Sequence, residues 1–198
     1  MEIKEQIARL KSQIFRLKKF NKLIGAAAGV ILLGWGLSVF IFSQEDSGVR
    51  EAAAEIEELA ANIRRYYQNR PDYWGLNTQI VLDKNIYPNR MLKNSSLNGY
   101  FGNSVLVGNG INGEVLMPGS RNFDIIYKGL NKKQCVGLAS FKFDQKFWLG
   151  VTGVSVVNNK GGQQLFGWND EKNQLPVKKE QAETVCESDN TIIWHCEQ

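Results

Sequence analysis

The sequence is poor in the residues that most protein chemistry uses. Among 198 residues there is a single histidine, His195, and there are three cysteines, Cys135, Cys186 and Cys196. With one imidazole and no C-x-x-C pair, the ligand sets that hold zinc are missing, so no metal site is expected. A Ser-His or Cys-His nucleophile would need His195, which lies near the C-terminus on a predicted strand, a poor place for it. No G-x-x-x-x-G-K-[ST] and no strand-linked G-x-G-x-x-G occurs, which excludes the usual phosphate cradles. Adjacent acids such as Glu57-Glu58 and Asp170-Glu171 read as solvated surface. No residue is therefore given a catalytic or metal-binding role, no cofactor is expected, and the chain does not read as an enzyme. Internal repeats and low-complexity tracts are also absent.

What is present divides unevenly along the chain. Hydrophobic residues at 43% and charged residues at 22% are ordinary globular values, which exclude a wholly disordered chain and a multi-span membrane protein. The length suits one domain, or one domain and an anchor. Residues 1–22 hold seven bases (Lys4, Arg9, Lys11, Arg16, Lys18, Lys19, Lys22) and two acids (Glu2, Glu5), a balance of +5 in a chain whose formal total is +4. The pI of 8.9 thus describes an arm, not a folded face, and no direct nucleic-acid binding is expected. Within that arm Ile3, Ile7, Leu10, Ile14 and Leu17 recur at helical spacing between the bases. The pattern is that of an amphipathic helix suited to an anionic inner leaflet or to a partner helix.

Leu23 to Phe42 then runs for twenty residues without a charge, Ser38 being its sole polar side chain. At 1.5 Å per residue this covers roughly 30 Å, the depth of a bilayer's hydrocarbon core. A secretory signal would have an apolar stretch of about 7 to 15 residues and an A-x-A-like cleavage site. Here the run ends in Phe40-Ile41-Phe42-Ser43-Gln44-Glu45, so an uncleaved transmembrane helix over 23–43 is the better reading. The bases before it and Glu45 and Asp46 after it place residues 1–22 in the cytoplasm and the remainder outside the inner membrane. Gly25-Ala-Ala-Ala-Gly29 is a G-x-x-x-G motif, and Gly25 and Gly29 would let helix backbones pack closely in lipid.

Beyond the span, Val49, Ala52, Ala53, Ile56, Leu59, Ala60, Ile63 and Tyr67 fall on one helical stripe. They predict an amphipathic helix within 44–70, ended by Asn69-Arg70-Pro71. Residues 71–198 read as a globular head. A short helix is expected at 77–84, strands at 104–108, 113–117, 123–127, 149–157 and 191–194, helices at 131–141 and 177–186, and turns at the Asn-Gly and Gly-Gly pairs. The fold class is α+β: a long N-terminal helix, half transmembrane and half amphipathic, on an antiparallel β-sheet. The cluster Phe141, Phe143, Phe147 and Trp148 reads as core before it reads as a binding platform. All three cysteines lie in the exported part, where a disulfide is expected. Cys135 with Cys186 and Cys186 with Cys196 both remain open on spacing.

The order of several short motifs resembles the type IVb pilins, particularly the PilS-like subunits of conjugative thin pili and the toxin-coregulated pilus type. The resemblance covers about residues 30–195. It runs through Ile63-Arg-Arg-Tyr-Tyr67, Tyr73-Trp-Gly-Leu-Asn-Thr78, Ile86-Tyr-Pro-Asn-Arg-Met91 with a "P-x-x-M", and Leu97-Asn-Gly-Tyr-Phe-Gly-Asn-Ser-Val-Leu-Val107. It continues in Phe123-Asp-Ile-Ile-Tyr127, Lys133-Gln-Cys-Val-Gly-Leu-Ala139, Ala182-Glu-Thr-Val-Cys186 and Asn190-Thr-Ile-Ile-Trp194. The resemblance implies a structural subunit or accessory pilin-like protein of a pilus or of a related conjugation or secretion apparatus. It implies a Cys135–Cys186 disulfide bounding a variable surface region, with no counterpart for Cys196. It implies as partners other pilin subunits, assembly proteins, the inner membrane and a surface receptor, with the head periplasmic or extracellular in a pilus. A stand-alone anchored adhesion head of the same fold is the alternative.

The processing site departs from the family pattern. A pilin leader ends in glycine, and a glutamate follows that serves assembly. In the best register Phe20 stands where the glycine belongs and Gly25 where the glutamate belongs; cleavage after Gly25 would put Val30 at the glutamate position.

Overall fold

A computed structural model describes residues 47–148 and 150–197; the basic arm and the apolar run, with Phe20, Gly25 and Gly29, lie outside the described residues. Among the described residues no helix is long and apolar enough to cross a membrane.

Helix α1 occupies residues 47–67. Its stripe is buried from Ala52 onward, with Ala52, Ala53, Ile56, Leu59, Ala60 and Ile63 at 0% exposure and Tyr67 at 1%, while Val49 is partly buried against the core. Glu51, Glu58 and Arg65 on other faces remain exposed. Three alanines in the stripe let the helix approach its neighbours closely. Helix α3 (Lys132–Ala139) also comes near, because a side chain at Gly137 would meet Val49 Cγ2 at 2.7 Å. Burial of this apolar face, more than intrinsic propensity, is what stabilises such a helix.

The helix shares one continuous core with a five-stranded antiparallel sheet. Its strands are β3 (Val105–Gly108), β4 (Asn122–Leu130), β5 (Val151–Asn158), β6 (Gln163–Gly167) and β7 (Asn190–Glu197), in the order β3-β4-β7-β5-β6. A two-stranded hairpin, β1 (Leu92–Lys93) and β2 (Ser96–Leu97), precedes them. Alternation along the strands sends Val105, Val107, Phe123, Ile125, Tyr127, Val154, Val156, Phe166, Ile192 and Trp194 into the core shared with α1. Tyr67, Tyr73 and Phe123 form a run of rings at 5.2 and 4.8 Å, and Tyr127 meets Trp194 edge to face at 5.6 Å.

Short helices fill the connections: α2 (Thr78–Asp83), α3, α4 (Gln145–Trp148) and α5 (Lys179–Val185). Their starts follow from side-chain caps. Asn77 Oδ1 accepts the Ile80 N–H at 2.8 Å. Asn131 and Gln134 cap each other's backbone N–H at 3.0 Å, a capping box.

The fold is the expected α+β class with an antiparallel sheet. Several elements differ from the expected ones; the β1–β2 hairpin and α4 are additions. Residues 113–117 do not form a strand of the sheet; Gly110 and Gly113, at φ +63° and +64°, coil this segment, which then lies along residues 75–76 through Leu116. Strand β6 is an addition: it is an edge strand whose burial alternates weakly, so its hydrophobic period is faint. The last strand runs beyond the expected 191–194 to Glu197, and it is central, pairing with both β4 and β5.

Candidate functional site

The first feature built by these elements is the clasp between α1 and the two segments that flank the β1–β2 hairpin, Arg90 before it and Tyr100 after it. Glu55 projects from α1 and is 2% exposed. One carboxylate oxygen accepts the Tyr100 N–H at 2.7 Å, and the other lies 3.5 Å from Arg90 Nε. Arg90 also reaches Glu58 at 2.8 Å. Burial raises the Glu55 carboxyl above its ordinary value, while the Tyr100 N–H, Arg90 and Lys93 oppose the shift. The Pro88-x-x-Met91 turn thus has a physical job. It buries Met91 and aims Arg90 at two acids of α1 one helical turn apart. The Asn98-Gly99 turn closes the clasp, since a side chain at Gly99 would collide with the Tyr127 ring at 2.5 Å.

The second feature is the disulfide. Cys135 in α3 is bonded to Cys186 at the end of α5, with a sequence separation of 51. It closes a loop that carries α4, β5, β6 and α5, worth about 4 kcal/mol on the chain-entropy account. Cys196 is the free cysteine, 0% exposed on β7. Burial pushes its thiol up to about 12, so it packs as an apolar group and has little thiolate to react.

The third feature was not legible in the chain. On the sheet face opposite α1, β4, β7 and β5 bring together Asp124, His195 and Ser155. His195 Nδ1 lies 2.7 Å from Asp124 Oδ1, and His195 Nε2 lies 2.8 Å from Ser155 Oγ. The Gly110 N–H donates to Asp124 Oδ2 at 2.7 Å. The connectivity is that of a serine hydrolase triad, but two observations deny it that chemistry. Ser155 is 2% exposed, and Val154, Ser155 and Val156 pair with both β6 and β7, so the backbone donors next to the hydroxyl are committed to the ladder and offer no oxyanion hole. The chain orders three strands and the 109–114 turn. Among the described residues no group of His, Cys, Asp and Glu suits a metal ion.

The aromatic cluster is divided. Phe143 and Phe147 are buried at 6% and 4%, while Phe141 and Trp148 are half-buried at the rim. The processing-site residues Phe20 and Gly25 and the packing residues Gly25 and Gly29 lie outside the described residues.

The described head is thus an α1 helix clasped by its buried acid, seated on an antiparallel sheet and flanked by one disulfide. The Bundlin family matches residues 43–192, well over half of the sequence, and the chain belongs to this family of type IVb pilins. It is a family of structural proteins that assemble with other pilin subunits. TcpA, a type IV pilin from Vibrio cholerae El Tor biotype, is similar in structure with a TM-score of 0.49 and 11% identity, covering 75% of this chain and 98% of that one. No curated protein sequence matches the chain.

Proposed function

We propose that the protein is a subunit or accessory pilin of a type IVb pilus or of a related conjugation or secretion apparatus. Residues 23–43 anchor it in the inner membrane, residues 1–22 stay in the cytoplasm, and the head over 71–198 works by packing and surface recognition. Gly25 and Gly29 are the helix-packing positions in lipid. The observation that supports this most is α1, whose apolar stripe is committed to the head while Glu51 and Arg65 face outward, where neighbouring subunits can meet them. A second reading, an anchored head that does not polymerise, is favoured by one specific observation: Phe20 and Gly25 occupy the positions of the family's leader glycine and assembly glutamate.

Two measurements separate the readings. Sheared extracellular filaments contain the protein if it is a subunit; recovery in the inner-membrane fraction alone rejects that role. Mass spectrometry of the mature N-terminus shows a methylated new terminus near Asn21 or Ala26 if the prepilin peptidase accepts the site, and an intact Met1 if it does not.

A further inference from the structure

Beside the β5 end of the sheet is a cavity of about 440 Å³, open on one side and lined by Gln145, Trp148, Val151, Thr152, Trp168 and Glu197. Its two indoles stand at 83° to each other with centroids 5.7 Å apart. Both walls are fixed in place. Trp148 packs edge to face on Phe143 at 5.5 Å and contacts Phe147 at 5.9 Å. Trp168 donates its Nε1–H to the Val151 carbonyl at 2.6 Å, although the residue is 42% exposed. Glu197, an exposed acid at the end of β7, lines the cavity and has no ion pair among the described residues. The Arg64 guanidinium is turned to the carbonyls of Gly150 and Glu197 instead.

We propose that the corner between Trp148 and Trp168 binds a quaternary ammonium group, with Glu197 as its counter-charge. The negative faces of indoles attract a cation, and two rings at a right angle present both to one compact group. A trimethylammonium group is weakly hydrated and enters such a corner at small desolvation cost, whereas a lysine ammonium is held back by its water. A pyranose fits less well: it stacks on one flat open face, whereas these two rings meet at 83°. Because the walls are held before any ligand arrives, little ordering cost opposes binding.

The test is calorimetric titration of the full chain, in a maltoside detergent free of choline, with choline chloride and with its neutral isostere 3,3-dimethylbutan-1-ol. Choline binds and the alcohol does not. Glu197→Gln, at an exposed side chain, weakens choline several-fold, and Trp168→Ala weakens it by about ten-fold, the scale of one partly desolvated cation–π contact. Thermal unfolding of each variant shows whether the head is intact; Glu197→Gln alone carries the test if Trp168→Ala is unfolded. Vesicles of phosphatidylcholine against phosphatidylglycerol separate a lipid headgroup from a free cation as the source, and binding in either form supports the site. Equal binding of choline and the alcohol, unchanged choline affinity in Glu197→Gln, or no choline binding up to about 10 mM overturns it.

Discussion

At the scale of single residues, the head places two polar groups where apolar ones would pack more cheaply, and each has a signature. Glu55 is held above 4.5 by burial, against the pull of the Tyr100 N–H and Arg90. In the window from 4.5 to the raised folded value, the folded state binds more protons than the unfolded state. This group's contribution is therefore complete below 4.5 and is lost as pH rises through the folded value. Glu55→Gln does not titrate. The stability of the native chain minus that of the variant should be largest in acid and shrink toward neutrality, as urea unfolding of the two proteins between about pH 4 and 7 will show. An unchanged difference would mean the carboxyl is not shifted.

His195 gives the second residue-level prediction. Replacing it by alanine strips a partner from both Asp124 and Ser155, which are 6% and 2% exposed. The expected loss is about 1–3 kcal/mol, the penalty for leaving buried polar groups unpaired. Ser155→Ala removes one end of the same chain and costs less. The double variant should cost less than the two single changes together, because the Ser155 hydroxyl has already lost its partner in His195→Ala. Strict additivity would mean the Oγ to Nε2 contact carries no energy.

At the scale of elements, the disulfide ties α3 to α5 across a large loop, so its main effect falls on the unfolded chain. The double variant Cys135→Ser, Cys186→Ser should lose about 2–4 kcal/mol in denaturant unfolding. Cys196→Ala, which breaks no bond, should cost less and leave the disulfide intact on non-reducing analysis.

Elements were also the scale at which the chain could be read. The stripe from Val49 to Tyr67 declares α1, because helical burial repeats within a few residues and needs no knowledge of the partner. The Asn77 and Asn131 caps are local for the same reason. Sheet order is not local. That β7 is central depends on pairings between segments distant in sequence, and the motif Asn190-Thr-Ile-Ile-Trp194 looks the same at an edge. The polar chain on the outer face shows the limit clearly. Asp124 and Ser155 lie 71 and 40 residues from His195, and they meet through the registers Asp124 with His195 and Gly153 with His195. No spacing rule reports such a meeting. Trp148 and Trp168 meet in the same way, and the sequence pattern around Trp148 reads first as core.

At the scale of the whole molecule, charge is divided between a +5 arm and a remainder of −1. On the proposed topology that division orients the chain, since bases within about 15–20 residues of a span hold their side in the cytoplasm. An alkaline phosphatase fused after Gln198, active outside the cytoplasm, should be active on the native chain. Its activity should fall when Arg16, Lys18, Lys19 and Lys22 are replaced by glutamate. The cysteines supply an internal control that needs no fusion. The Cys135–Cys186 bond forms in an oxidising compartment and not in the cytoplasm. In the charge-reversed chain both thiols should therefore become open to alkylation under denaturing conditions. In the native chain, Cys196 alone should react. A native chain with all three thiols free would place the head in the cytoplasm and remove the basis for a pilus role, whatever its fold.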